Sequence, residues 1–172
     1  LRVWQVACAI APGLAAAGRP LNLKLVEAGA MLHDITKTRS LTTGENHAAS
    51  GEALLRKMRL GRVAALIGQH VTLRAYPPET LDEAVIVNYA DKRVIHDRVV
   101  SLGQRLTYIL ETYGNDAPRR HRIRRLWLWT EALEARIFRP LSFGPGQLTE
   151  RLDDDAFAES WGQFRQLSRL DL

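Results

Sequence analysis

From Arg2 to Phe138, apolar residues return every three or four positions, and no stretch alternates apolar with polar residues convincingly enough for a strand. Spacing of this kind puts the apolar side chains of each segment on one helical face, and each face has to be buried against another. The expected fold class is therefore all-α: a single irregular helical bundle of about seven or eight helices.

Local signals divide the chain. Residues 1–17 read as an Ala-rich helix kinked near Pro12-Gly13, followed by a turn at Gly18-Arg19-Pro20. Asn22 is placed to cap a helix over 23–34, and Asn46 to cap another running to Met58. Residues 36–45 between them read as a polar loop. Further helices are predicted over 61–71, 79–97 and 101–113, and from the turn 114–118 to Phe138. Residues 141–152 are the candidate linker, and 153–167 read as a last helix acting as lid or docking arm. The expected organisation is a helical domain over 1–140, with 141–172 packed on it. The chain opens at Leu1 inside a helix, so a preceding segment is expected.

At 172 residues the chain is long enough for one domain with a real core. Hydrophobic residues at 46% against 25% charged exclude a disordered chain. No apolar run approaches the roughly 20 residues that span a bilayer. A lone cysteine, Cys8, excludes an internal disulfide and a cysteine zinc cluster, and suits a cytoplasmic, reducing setting. The net charge of +5 favours anionic partners.

The informative residues are polar ones on apolar faces. His33 stands above Gly29, Ala30 and Val26, with Asp34 beside it at the helix end. His70 lies over Ile67, Leu66 and Val63; Asp91 lies over Val87 and Ala84; His47 opens its helix beside Ser50, Gly51 and Leu54. Singly, each reads as a core residue satisfied by a neighbour. Together they place imidazoles and carboxylates toward one interior, where unpaired charge is costly. Imidazole and carboxylate are the donors that borderline divalent cations take, so a metal centre explains the set economically.

The segments LHDITK, NHAASGEALL, IGQHV and VNYADKRV, at residues 32–37, 46–55, 67–71 and 87–94, resemble the metal-dependent HD-domain phosphohydrolases. The likeness covers roughly residues 1 to 110, with His47, His70 and Asp91 following the His-Asp pair at intervals of about 13, 23 and 21. It implies that His33 and Asp91 bind one metal together with a first histidine expected just upstream of Leu1. Asp34 would bridge to a second metal held by His47 and His70. The extra histidines imply the dinuclear subclass and two ions, iron or manganese favoured over magnesium, with nickel, cobalt or zinc as further candidates.

The same resemblance, to small bacterial domains that include symmetrical dinucleoside tetraphosphate hydrolases, implies hydrolysis of a phosphorylated small molecule, a nucleotide in the first instance. Asp34 and Lys37 would be catalytic, Lys37 neutralising a phosphate or protonating the leaving oxygen. Lys92, Arg93 and Arg98 are candidates for further phosphate contacts; His96 reads as an exposed partner of Asp97 or Glu83. The alternative is a non-catalytic, nucleotide-binding or regulatory module of a larger protein. The run RRHRIRR over 119–125 reads as a solvated helix face rather than a nucleic-acid surface, with Trp127 and Trp129 packing the core beyond it. Asp153-Asp154-Asp155 reads as a helix cap and first turn.

Overall fold

The structure, a computed structural model, describes residues 1–152. In these, eight α-helices follow one another: α1 Arg2–Ala16, α2 Leu23–Leu32, α3 Lys37–Thr43, α4 His47–Lys57, α5 Gly61–Ile67, α6 Glu83–Asp91, α7 Leu102–Tyr113 and α8 Ala117–Phe138. A hairpin, β1 Val94–Ile95 with β2 Arg98–Val99, separates α6 from α7, and a 3-10 helix spans Pro145–Arg151. The protein is an all-α bundle.

Helix starts are written in the side chains. Asn22 accepts from the Leu25 amide and Asn46 from the Ala49 amide, both at 3.0 Å. Asp82, Ser101 and Asp116 cap α6, α7 and α8 in the same way. Each occupies one of the amide donors a helix start leaves without an intrahelical partner.

The core is built around α6, which packs on α1, α2, α5 and α8. Residues Ala84 to Ala90 are all buried, and this explains why α6 reads as apolar on every side. Ile10 and Leu14 of α1, Val26 of α2, Ile67 of α5, and Leu133 and Ile137 of α8 close around it. Gly29 lets α2 approach α5: a Cβ there would run into the Leu66 side chain.

Three expectations are corrected. Residues 36–45 are not a loop, because α3 occupies most of them. It buries no residue, so it carries no apolar period, and it ends at Gly44 with φ 70°. The helix predicted over 79–97 stops at Asp91, and the chain reverses through a hairpin that pairs Val94 with Val99 and Ile95 with Arg98. His96 takes φ 56° at that turn, and two-residue strands are too short to show alternation. Residues 141–152, the candidate linker, lie against the bundle. Leu148 is fully buried, Phe143 packs edge-on against Phe138, and Arg93 donates to the Pro145 carbonyl. Trp127 is core, its indole N–H donating to the Leu102 carbonyl at 2.9 Å, whereas Trp129 is 40% exposed. The helix predicted over 153–167 and the Asp153-Asp154-Asp155 run lie outside the described residues.

Candidate metal centre

Four helix ends converge on one point. His33 closes α2, and Asp34 sits in the turn after it. His47 is the first residue of α4, placed by its cap Asn46. His70 lies in the turn after α5, and Asp91 is the last residue of α6. Helix ends suit the task, because side chains there project past the packed cylinder into a shared space.

Asp34 is the hub. Its Oδ1 lies 3.2 Å from His47 Nε2 and 3.4 Å from His70 Nε2, while its Oδ2 lies 3.5 Å from His33 Nε2. His33 Nε2 stands 3.8 Å from Asp91 Oδ1, and the Nε2 atoms of His47 and His70 are 3.0 Å apart. Asp34, His47 and His70 offer ligand atoms that all lie within 4.8 Å of one another. The structure thus brings His33, Asp34, His47, His70 and Asp91 together.

Two backbone carbonyls fix the imidazole tautomers. His33 Nδ1 donates to Ala30 O and His70 Nδ1 donates to Ile67 O, both at 2.7 Å. Neutral rings held this way turn the lone pair of Nε2 toward the carboxylates. Lone pairs then face anionic oxygens, and Asp34 Oδ1 is buried without a hydrogen-bond partner among the described residues. A proton or a cation between these atoms relieves the arrangement. The donor set, imidazole nitrogen with carboxylate oxygen, fits a divalent metal ion.

The electrostatics agree. Burial alone would raise the Asp34 carboxyl, but a proton shared with it by the surrounding imidazoles of His33, His47 and His70 outweighs burial and holds the group far below the usual carboxylate range. Burial pulls the His33 pKa down, yet the Asp34 and Asp91 carboxylates overcome this and raise it above 6.5.

A supporting layer holds the rings in place. Asn88, fully buried on α6, donates from Nδ2 to the carbonyls of Gln69 and His70, both at 2.9 Å. Lys92 Nζ in turn donates to Asn88 Oδ1 at 2.7 Å and to the Val71 carbonyl at 3.2 Å. Thr36 Oγ1 donates to the His47 carbonyl at 2.7 Å. Neither carried a signal in the sequence beyond being polar, Asn88 in a helical stretch and Thr36 at the start of an expected loop.

Lys37, the first residue of α3, brings its Nζ to 3.5 Å from His47 Nε2. The other basic candidates are placed differently. The Lys92 ammonium borders a cavity but is committed to Asn88 and Val71, and burial pushes its pKa down to about 8. Arg93 faces away from the centre. Its guanidinium pairs with Glu134 at 2.9 Å and donates to the Tyr89 hydroxyl and to the Val100 and Pro145 carbonyls, so its donors are committed within the fold. Arg98 is exposed on β2 and lines neither cavity at the centre. His96 stacks edge-on against Tyr108 rather than pairing with Asp97 or Glu83. Burial raises the Cys8 thiol to about 12, which fits a packing residue and not a nucleophile.

Two cavities meet at this point. One, of about 460 Å³, is lined by His33, Asp34, Asp91, His96 and Tyr108. The other, of about 490 Å³, runs from Asp34, His47 and His70 to an apolar wall on α7 and α8. Lys37, Asp91 and Arg105 border both. Arg105 was not predicted. One turn before Ile109 on a surface-patterned helix, its side chain resembles any solvated arginine in the sequence.

The HD domain family model matches residues 1–94, more than half of the chain. A tRNA (cytidine(56)-2'-O)-methyltransferase of Picrophilus torridus is 30% identical over 111 residues, which cover 56% of this chain and 30% of that protein. The chain thus spans under a third of the length of this curated relative. No solved structure matches.

Proposed function

The chain belongs to the HD domain family, and we propose that it is a metal-dependent phosphohydrolase acting in the cytoplasm on a phosphorylated small molecule, a nucleotide in the first instance. The observation that carries this reading is the division of Asp34. One carboxylate oxygen faces His47 and His70, and the other faces His33, which Asp91 joins from the far side. That division supports two divalent ions with Asp34 between them, iron or manganese suiting the nitrogen-rich donors better than magnesium.

Bound there, a divalent ion supplies Lewis acidity toward a phosphoryl group and activates solvent near neutral pH. The chain supplies the rest. Ala30 and Ile67 keep His33 and His70 in the tautomer that offers Nε2. Lys37 directs an ammonium to the same place, where it would neutralise a phosphate oxygen or give a proton to the leaving oxygen. No serine or cysteine nucleophile is called for, consistent with the raised Cys8 pKa.

Purified protein assayed with nucleotide phosphates tests the reading, with manganese, iron or magnesium added and with Asp34→Ala as control. Phosphate release that requires metal and disappears in Asp34→Ala is the expected result; nucleotide binding without turnover under any metal would overturn it.

A second reading has its own support. The methyltransferase relative is over three times as long as the segment it shares, so the shared segment occurs there inside a larger protein. Arg122, Arg124 and Arg125 are exposed along α8, with Trp129 beside them. A non-catalytic module of a larger protein would keep the scaffold and bind nucleotide or RNA without hydrolysing it.

A further inference from the structure

Arg105 stands at the centre beside Asp34, and like that carboxylate it keeps a buried polar atom that no described residue satisfies. Its Nε is buried and has no hydrogen-bond partner among the described residues. Its Nη2 stands 4.0 Å from Asp91 Oδ2, beyond hydrogen-bond length, and the guanidinium lies over the Tyr108 ring at 5.5 Å. Leaving a buried guanidinium N–H unpaired is costly, and such exceptions call for a reason. The guanidinium rests over that ring, and Arg105 and Lys37 both border the two cavities. Two cations from separate helices, α3 and α7, therefore flank the carboxylate and imidazole cluster.

The wall next to Arg105 is apolar. Ile109 follows it by one turn on the same face of α7, and Ile123, Leu126 and Trp127 of α8 continue the surface. Trp127 is held in place by its bond to the Leu102 carbonyl. At the mouth Leu41 is 78% exposed, on the helix that begins with Lys37. An apolar slot that opens beside an unpaired guanidinium suits a ligand with a flat apolar part bonded to an anionic one.

Resting on the phosphohydrolase reading, we propose that Arg105 binds the substrate phosphate through its fork, and that the α7–α8 wall takes an aromatic group carried by that phosphate. The substrate class is then an aromatic phosphate ester or anhydride, not a bare polyol phosphate. Arg105, Ile123, Leu126 and Trp127 all lie beyond residues 1–94, the part matched by the family. A planar fork pairs two phosphate oxygens at once, which a lysine does not.

Calorimetry on the manganese-loaded chain tests this with three probes: inorganic phosphate, methyl phosphate and phenyl phosphate. Arg105→Gln is expected to weaken all three by about tenfold or more, with manganese stoichiometry unchanged. Arg105→Lys is expected to recover only part of the loss; it also serves as the test should the glutamine variant fail to fold. Wild type is expected to prefer phenyl over methyl phosphate by about tenfold, and Leu126→Ala to narrow that gap while holding inorganic phosphate within about twofold. Unchanged phosphate affinity in Arg105→Gln, or loss of manganese from it, overturns the role of Arg105. Equal affinity of wild type for methyl and phenyl phosphate overturns the aromatic wall. In these cases metal-dependent turnover by the same protein leaves the phosphohydrolase reading standing. A wild-type protein that binds no phosphate ends both.

Discussion

His47 and His70 bring their Nε2 atoms to 3.0 Å of each other, 3.2 and 3.4 Å from the same oxygen of Asp34. Since the Ile67 carbonyl takes the Nδ1 proton of His70, its Nε2 is free to donate a lone pair. A cation resolves the close approach of these three groups better than any neutral partner, and this makes Asp34 the most sensitive single position.

Asp34→Asn should therefore abolish metal binding. Outer partners of metal ligands cost about 10–100-fold in affinity when removed, and a residue that serves both sides of the cluster should exceed that. Metal content after gel filtration, measured by inductively coupled plasma spectrometry, checks it. Retention of full metal by Asp34→Asn would show that the ligands lie elsewhere.

Acidity should separate the metal-free from the metal-loaded protein. In the metal-free fold the His33 pKa is raised, the pull of burial being outweighed by Asp34 and Asp91. Its contribution to stability is then fully present below 6.5 and is lost as pH rises through the folded value. The Asp34 pKa is lowered, so its contribution is present above 3.8 and fades only as pH falls through its folded value. A metal ion held by these residues would displace the His33 proton, so its binding would strengthen as pH rises. Thermal melts with and without chelator should differ more at pH 8 than at pH 5.5. An equal gap at both values would rule out proton–metal competition at His33.

Gly29→Ala should reach the centre through packing. The added methyl meets the Leu66 side chain, which is 4% exposed and has little room to yield. Overpacking of this kind costs about 1–3 kcal/mol. Because α2 ends in His33 and α5 leads to His70, pushing the two helices apart should also weaken metal binding. Denaturant unfolding and metal titration on one variant read both effects.

Arg93→Ala should damage stability and spare ligand binding. The Arg93 guanidinium and Glu134 form an ion pair with side chains 5% and 22% exposed, and Tyr89 donates to the same carboxylate at 2.6 Å. Removing one member of a buried pair costs about 3–5 kcal/mol, less here because Glu134 keeps some solvent. Phosphate affinity measured on the folded fraction should stay unchanged. A large drop in that affinity would return Arg93 to the substrate site.

Much of this molecule is local. Asn22 and Asn46 cap the helices they precede because capping needs only a side chain and the next turn of backbone. His33, His47, His70 and Asp91 stood out because helical spacing alone says which residues share a face with Val26, Leu54, Ile67 and Val87. Those signals were sufficient for the helical class and for picking out the side chains that meet around Asp34. They did not extend to α3, whose seven residues bury nothing and so leave no apolar period, nor to the hairpin after Asp91.

Tertiary structure decided what the basic residues do. Lys92, Arg93 and Arg105 are cations on neighbouring helices with nothing in the sequence to tell them apart. Their roles depend on partners brought close by folding. Asn88 and the Val71 carbonyl hold Lys92, Glu134 holds Arg93 from 41 residues away, and Arg105 has a buried Nε that no described group accepts. Periodicity along a chain reports which way a side chain points from its own helix; the charge it meets there is set by other helices, and only the packed bundle supplies those.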